Sequence, residues 1–108
     1  MSIRSQLLKG RPDGCILAVI DKAPVYGYEL SKKLQEAGLH DVSEGTVYPV
    51  LLRLQKNGFI RGEIRPSDFG PNRKYYFLTD EGKQALQTII KEWEKLSIPV
   101  DSLLKGRD

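Results

Sequence analysis

The side chains best placed to do chemistry gather between positions 43 and 78. The string Ser43-Glu-Gly-Thr-Val-Tyr-Pro-Val-Leu-Leu-Arg-Leu is followed by a turn-rich stretch and then by Arg73-Lys-Tyr-Tyr-Phe-Leu. Six cations (Arg53, Lys56, Arg61, Arg65, Arg73, Lys74) stand in this window against three anions (Glu44, Glu63, Asp68). Across 79–104 the balance reverses, with five anions to three cations. The basic excess therefore belongs to one helix and one hairpin, and clustered guanidinium and ammonium groups there suit a polyanion. A helix beside a cationic ribbon is a shape that enters a groove of duplex DNA. Enzyme chemistry has little to work with. The lone Cys15 and the lone His40 are 25 positions apart, and Cys15 falls in an apolar run, which is poor ground for a nucleophile and its base. His40 has only Asp41 as a near neighbour, too few ligands for a metal site. No Gly-rich phosphate loop occurs, and no cofactor is expected.

The elements that must position these groups can be read from spacing. At 108 residues the chain suits a single folded unit with a modest core, which a partner subunit could extend. A short helix is expected over residues 3–8, interrupted by Gly10-Arg11-Pro12. Asp13 is a credible N-cap for a second helix over 14–21, whose Ile16, Leu17 and Ile20 share one face. A third stretch, 26–37, places Leu30, Leu34 and Ala37 inward and stops at Gly38. Ser43 caps the next helix, Glu44 sits in its favourable first turn, and Asn57-Gly58 ends it. Val47, Val50, Leu51 and Leu54 form its apolar stripe. Its opposite face carries Gly45, Tyr48, Pro49, Leu52, Arg53 and Lys56, an odd set for a merely structural surface. Residues 59–64 and 74–78 are rich in aromatic and branched side chains, and the turn formers between them predict a hairpin with a long loop. Thr79 caps a last helix with Asp80 and Glu81 in its first turn. Leu86, Ile89, Ile90, Trp93, Leu96, Val100, Leu103 and Leu104 follow at spacings of 3 or 4, one continuous stripe with a bend expected near Pro99.

The expected fold is mostly α with a β-hairpin wing: a winged helix-turn-helix over 1–78 and a long C-terminal dimerisation helix over 79–108. A small domain cannot cover the whole stripe, so much of it should meet a second copy. The longest apolar run, 15–20, falls well short of the roughly 20 residues a membrane span requires. There is no signal-peptide pattern, and a single cysteine cannot form an internal disulfide, which together suit a cytoplasmic setting.

The wording of the motifs goes further. Tyr26-Gly-Tyr-Glu-Leu, Ser43-Glu-Gly-Thr-Val-Tyr-Pro-Val-Leu-Leu-Arg-Leu, Asn57-Gly-Phe-Ile and Arg73-Lys-Tyr-Tyr-Phe-Leu-Thr-Asp-Glu-Gly, in that order, resemble the PadR family of transcriptional regulators, in its short branch with one C-terminal helix. The resemblance implies a dimeric repressor that binds a near-palindromic duplex operator and is released by a small molecule or a cellular signal. By position, Ser43, Gly45, Thr46, Tyr48 and Pro49 match the recognition-helix motif. Arg73 and Lys74 match the wing, and Tyr26 and Tyr28 match a tyrosine pair that abuts the DNA backbone. Trp93 matches a tryptophan that some short members place at the dimer centre, where flat aromatic or cationic compounds bind.

The residues taken individually allow plainer roles too. Ser43 is a cap whatever else it touches. Tyr48 lies ~100° from the core stripe by helix periodicity, which packing alone explains poorly. Arg53 and Lys56 suit bulk water as well as a phosphate. Of Tyr75 and Tyr76, strand alternation sends one inward. Trp93 could serve dimer packing or act as a stacking platform. A winged module that binds protein or RNA is the alternative function, although a two-stranded wing offers few outward aromatics for base stacking.

Overall fold

The computed structural model describes residues 12–67 and 69–106, so the helix expected over 3–8 lies outside the described residues. Helix α1 spans Pro12–Lys22. Asp13 therefore sits within its first turn rather than capping it, still well placed for the helix dipole. Strand β1 (Val25–Tyr26) leads directly into α2 (Gly27–Glu36), then α3 (Glu44–Lys56), β2 (Ile60–Arg65), β3 (Arg73–Leu78) and α4 (Asp80–Lys105).

The four helices and the sheet close on one core. Ile16, Leu17 and Ile20 of α1 meet Leu30 and Leu34 of α2 and the Val47, Val50, Leu51, Leu54 stripe of α3, with Ile60, Tyr76 and Leu86 completing the cluster. Apolar positions at helical spacing produced this stripe, as expected. Ala37, expected inward, is instead exposed at the C-cap of α2. The helix is closing there, with the Gly38 N–H bonded to the Gln35 carbonyl and the Leu39 N–H to the Leu34 carbonyl. Gly58 ends α3 in the left-handed region (φ +81°), where a side chain would be strained.

The wing is not a plain hairpin. It is a three-stranded antiparallel sheet in the order β1-β3-β2, because Val25 and Tyr26 pair with Tyr76 and Tyr75. The two-residue β1 is too short to show any periodicity, so the third strand was not expected, and Tyr26 lies on it rather than in the helix. Alternation then sorts the side chains. Val25, Tyr76 and Ile60 face the core; Tyr26, Tyr75, Phe77, Arg61, Glu63 and Arg65 share the outer face.

Thr79 joins the sheet to α4. Its Oγ1 accepts from the Gly82 N–H at 3.0 Å and donates to the Gly58 carbonyl at 2.6 Å, while its own N–H donates to the Phe59 carbonyl at 3.1 Å. Helix α4 runs unbroken through Pro99 to Gly106, whose left-handed φ of +61° closes it. Its apolar stripe divides in two. Leu86, expected at a dimer surface, is 5% exposed and belongs to the chain's own core, and Ile89 packs partly against that core beside Gly14. Ile90, Trp93, Leu96, Val100, Leu103 and Leu104 are exposed, the last two at 80%. No helix among the described residues is long and apolar enough to cross a membrane.

Candidate nucleic-acid interface

The start of α2, the outer face of α3 and the first residues of β3 converge on one cleft of about 310 Å³. Its lining includes Tyr26, Tyr28, Tyr48, Arg73 and Lys74, five of the residues singled out from sequence, together with Gly27, Asn72 and Tyr76. Each arrives there for a local reason. Tyr48 sits one turn into α3 on the side away from the core stripe. Its ring lies so close over Gly27 that a Cβ there would come within 2.7 Å of the phenol oxygen. Glycine at the first position of α2 thus lets the tyrosine of α3 lie flat against the neighbouring helix.

The phenol is kept neutral. Desolvation is the first reason its pKa rises, followed by the charge of Glu44 and a hydrogen bond to that carboxylate. A neutral phenol keeps an O–H that can donate to a phosphate oxygen. Tyr76, beneath it, is raised in the same direction by burial and then by Tyr48.

The two wing cations are held differently. Residues 73 and 74 alternate across the strand, so the side chains leave opposite faces of the sheet. The Arg73 guanidinium lies 4.4 Å from the centroid of the Tyr26 ring, which steadies it while its edge N–H groups remain directed sideways. The Lys74 chain passes over Gly62, which has no side chain to block it, and its Nζ donates to Gln55 Oε1 at 3.3 Å. The wing is thereby tied to α3.

The remaining positions of the recognition-helix motif do not line the cleft; they lie exposed at the start of α3. Ser43 holds the N-cap position with extended backbone angles, but its hydroxyl makes no bond to a backbone N–H; it shares a 3.3 Å hydrogen bond with the Thr46 hydroxyl. Gly45, Thr46 and Pro49 are exposed. A Cβ added at Gly45 would have only Ser43 Oγ nearby, at 3.7 Å, so nothing among the described residues requires glycine there. Arg53 departs from the group: it pairs with Asp13 of α1 instead of lying free beside the cleft.

Sequence reasoning passed over the outer face of the sheet. Arg61 lies 4.5 Å from the Phe77 centroid, and Arg65 lies 4.8 Å from Phe77 and 5.5 Å from Tyr75. Tyr26 and Tyr75 meet edge to face at 5.4 Å. The signal was present as two interleaved alternations, Arg61-Glu63-Arg65 and Arg73-Tyr75-Phe77, which a hairpin register places side by side.

Against known proteins, residues 16–88 match the model of the transcriptional regulator PadR-like family. The chain belongs to the PadR-like family of transcriptional regulators. A PadR-like transcriptional regulator from Bacillus cereus is 48% identical, with a TM-score of 0.85 over 94% of this chain and 99% of that one. A Streptococcus transcriptional regulator is 45% identical, with a TM-score of 0.81 over 91% and 96% of the two chains. A transcriptional regulator of Mycobacterium tuberculosis is 37% identical over 68% of this chain and 66% of its own length. The winged fold with a long terminal helix, expected from the motif order, is thus the fold of this PadR-like chain, and the family is one of regulators rather than enzymes.

Proposed function

We propose that this PadR-like chain acts as a homodimer on a near-palindromic duplex operator, as a repressor that a small-molecule or stress signal releases. The observation that carries the reading is the cleft itself: Tyr28, Tyr48, Arg73 and Lys74, from three separate elements, border one concave surface beside the exposed Ser43–Thr46 end of α3. Phenol and cationic donors grouped in this way fit a run of phosphates, while an uncluttered helix start fits base edges in the major groove. Domain residues 1–78 supply that surface, and 79–108 supply the pairing helix.

Support for the dimer comes from α4. Ile90, Trp93, Leu96 and Val100 continue at helical spacing beyond the point where the chain's own core ends. Across a two-fold axis they would cover one another and set two α3 helices to meet half-sites ~34 Å apart or a multiple of it. Trp93, midway along that surface, would offer its ring to a flat aromatic or cationic effector near the axis.

A protein- or RNA-binding role is less well supported. The outward rings that a single strand would stack on, Tyr75 and Phe77, are already overlaid by Arg65 and Arg61.

Titration of labelled duplex with purified protein over a salt series tests the reading. Arg73→Ala and Lys74→Ala should each lower the slope of log affinity against log salt by about one and weaken all sequences alike. Variants that keep the full slope would remove the wing from the phosphate contacts. Quenching of Trp93 fluorescence by planar cationic dyes, with operator affinity measured alongside, tests the effector. Dyes that quench without changing affinity would make Trp93 a packing residue.

A further inference from the structure

The cleft leaves the far end of the wing unexplained. Phe69, in the loop between β2 and β3, is 92% exposed, and Ile64, in β2, is 68% exposed. Every other phenylalanine of the chain, Phe59 and Phe77, is at least partly covered. Among the described residues the cations that approach rings do so at Tyr26, Tyr28, Tyr75, Tyr76 and Phe77, not at Phe69. Phe69 has conformationally restricted neighbours. Pro66 and Pro71 bracket it, Gly70 takes a left-handed φ of +114°, and the Ser67 hydroxyl donates to the Phe69 carbonyl at 3.3 Å. At the base of the same loop stand Arg65, Arg73 and Lys74. An apolar tip above a cationic base suits a polyanion with an apolar interior. A nucleic-acid duplex is such a polyanion: phosphates outside, stacked bases within.

We propose that Phe69 is a wedge that enters the minor groove beside each recognition-helix site and partly unstacks one base step. The proposal rests on the duplex-binding reading above. With α3 in the major groove, a hairpin held to α3 by the Lys74–Gln55 bond reaches the neighbouring minor groove. That groove is about 6 Å wide, too narrow for a helix but open to a turn. Apolar side chains inserted there pry base steps apart and kink the helix axis. Burial of a phenylalanine favours the inserted state by roughly ten- to hundredfold, and unstacking consumes much of that gain. The net contribution to affinity is therefore within about tenfold, and its main effect is on sequence. Pyrimidine–purine steps, which unstack most easily, should be selected at a position the protein never reads by hydrogen bonds.

Two measurements test this on the full-length protein. Relaxed plasmid is incubated with protein and topoisomerase I, then deproteinised, and its topoisomers are resolved. Wild type should leave negative supercoils in proportion to protein bound. Phe69→Ala should leave none at concentrations giving equal plasmid retardation, and Phe69→Leu should retain part of the effect. In the second measurement, wild type and Phe69→Ala each select duplexes from a random pool. Wild-type sites should carry TA or CA/TG at a fixed distance outside each half-site, and the variant's sites should lose that step while keeping the inner bases. Because the side chain is exposed, the variant should melt as wild type does. Equal unwinding by Phe69→Ala, or unchanged selected sites, overturns the wedge and leaves duplex binding intact. Failure of wild type to bind duplex at all would overturn both.

Discussion

Replacing Gly45 by alanine should make the protein more stable and worse at its task. Gly45 is the second residue of α3 and does not take a positive φ, so its backbone suits any residue. A methyl group there would find Ser43 Oγ at 3.7 Å, an ordinary contact, and otherwise open space. The folded state thus bears no steric cost, while the unfolded chain loses the extra freedom of glycine. Gly→Ala inside a helix is worth about 0.5–1 kcal/mol, somewhat less so near its first turn. For a domain of this size that is a rise in Tm of roughly 2–6 °C. On DNA the same methyl stands between the helix and the groove. Loss of one close contact, or a small retreat of the helix, should cost about 1–3 kcal/mol, a five- to hundredfold drop in affinity. Circular dichroism melting and fluorescence anisotropy on a selected duplex give the two numbers independently. Affinity equal to wild type would show that the glycine serves no close approach. A lowered Tm would show that it has an internal role the contacts do not reveal.

Other positions give sharper or opposite outcomes. Gly82→Ala should destabilise by about 2–4 kcal/mol in chemical denaturation, because its Cβ would fall 2.0 Å from the Phe59 carbonyl oxygen, a backbone atom with no room to retreat. Leu96→Asp should yield a folded monomer by light scattering, with its helix content intact, since this side chain is exposed within one chain and would be covered only in the proposed dimer. Alkaline pH should weaken the fold: the Tyr76 phenol is raised above its usual 10.0, chiefly by burial, so the unfolded chain loses that proton first. The corresponding stability is whole below about pH 10 and is lost as pH rises through the folded value. Tyr76→Phe should flatten that part of the stability profile.

The elements that sequence made legible are those with many repeats of one period. The α3 stripe and the α4 stripe each offered enough turns for spacing to decide, and Asn57-Gly58 and Thr79-Asp80-Glu81 marked ends by chemistry that depends on neighbours alone. What escaped depended on distant partners. Strand β1 is two residues long and exists because β3 offers it an edge. Asp13 could be placed near a helix start, but its pairing with Arg53, 40 positions away, could not. Leu86 and Leu103 look alike in the stripe; only the folded domain shows that the first is consumed by its own core. In the cleft, the tyrosines and the wing cations were named in advance, whereas the fit of Tyr48 over Gly27 came from the angle between two helices.

The bonds around Thr79 have a mechanical meaning. One residue fastens the end of α3, the start of β2 and the start of α4 through three hydrogen bonds. Helix α4 then runs 26 residues, about 39 Å at ~1.5 Å per residue, its first turns seated on the core through Leu86 and Ile89. With its near end clamped, α4 would act as a lever, and α3, the proposed reading helix, is tied to its fulcrum. A displacement of roughly 3 Å at the far end corresponds to a rotation of about 4° on that length. Small molecular motions far out on the shaft would thus be delivered as a change of aim at the groove, with no need for anything in between to unfold.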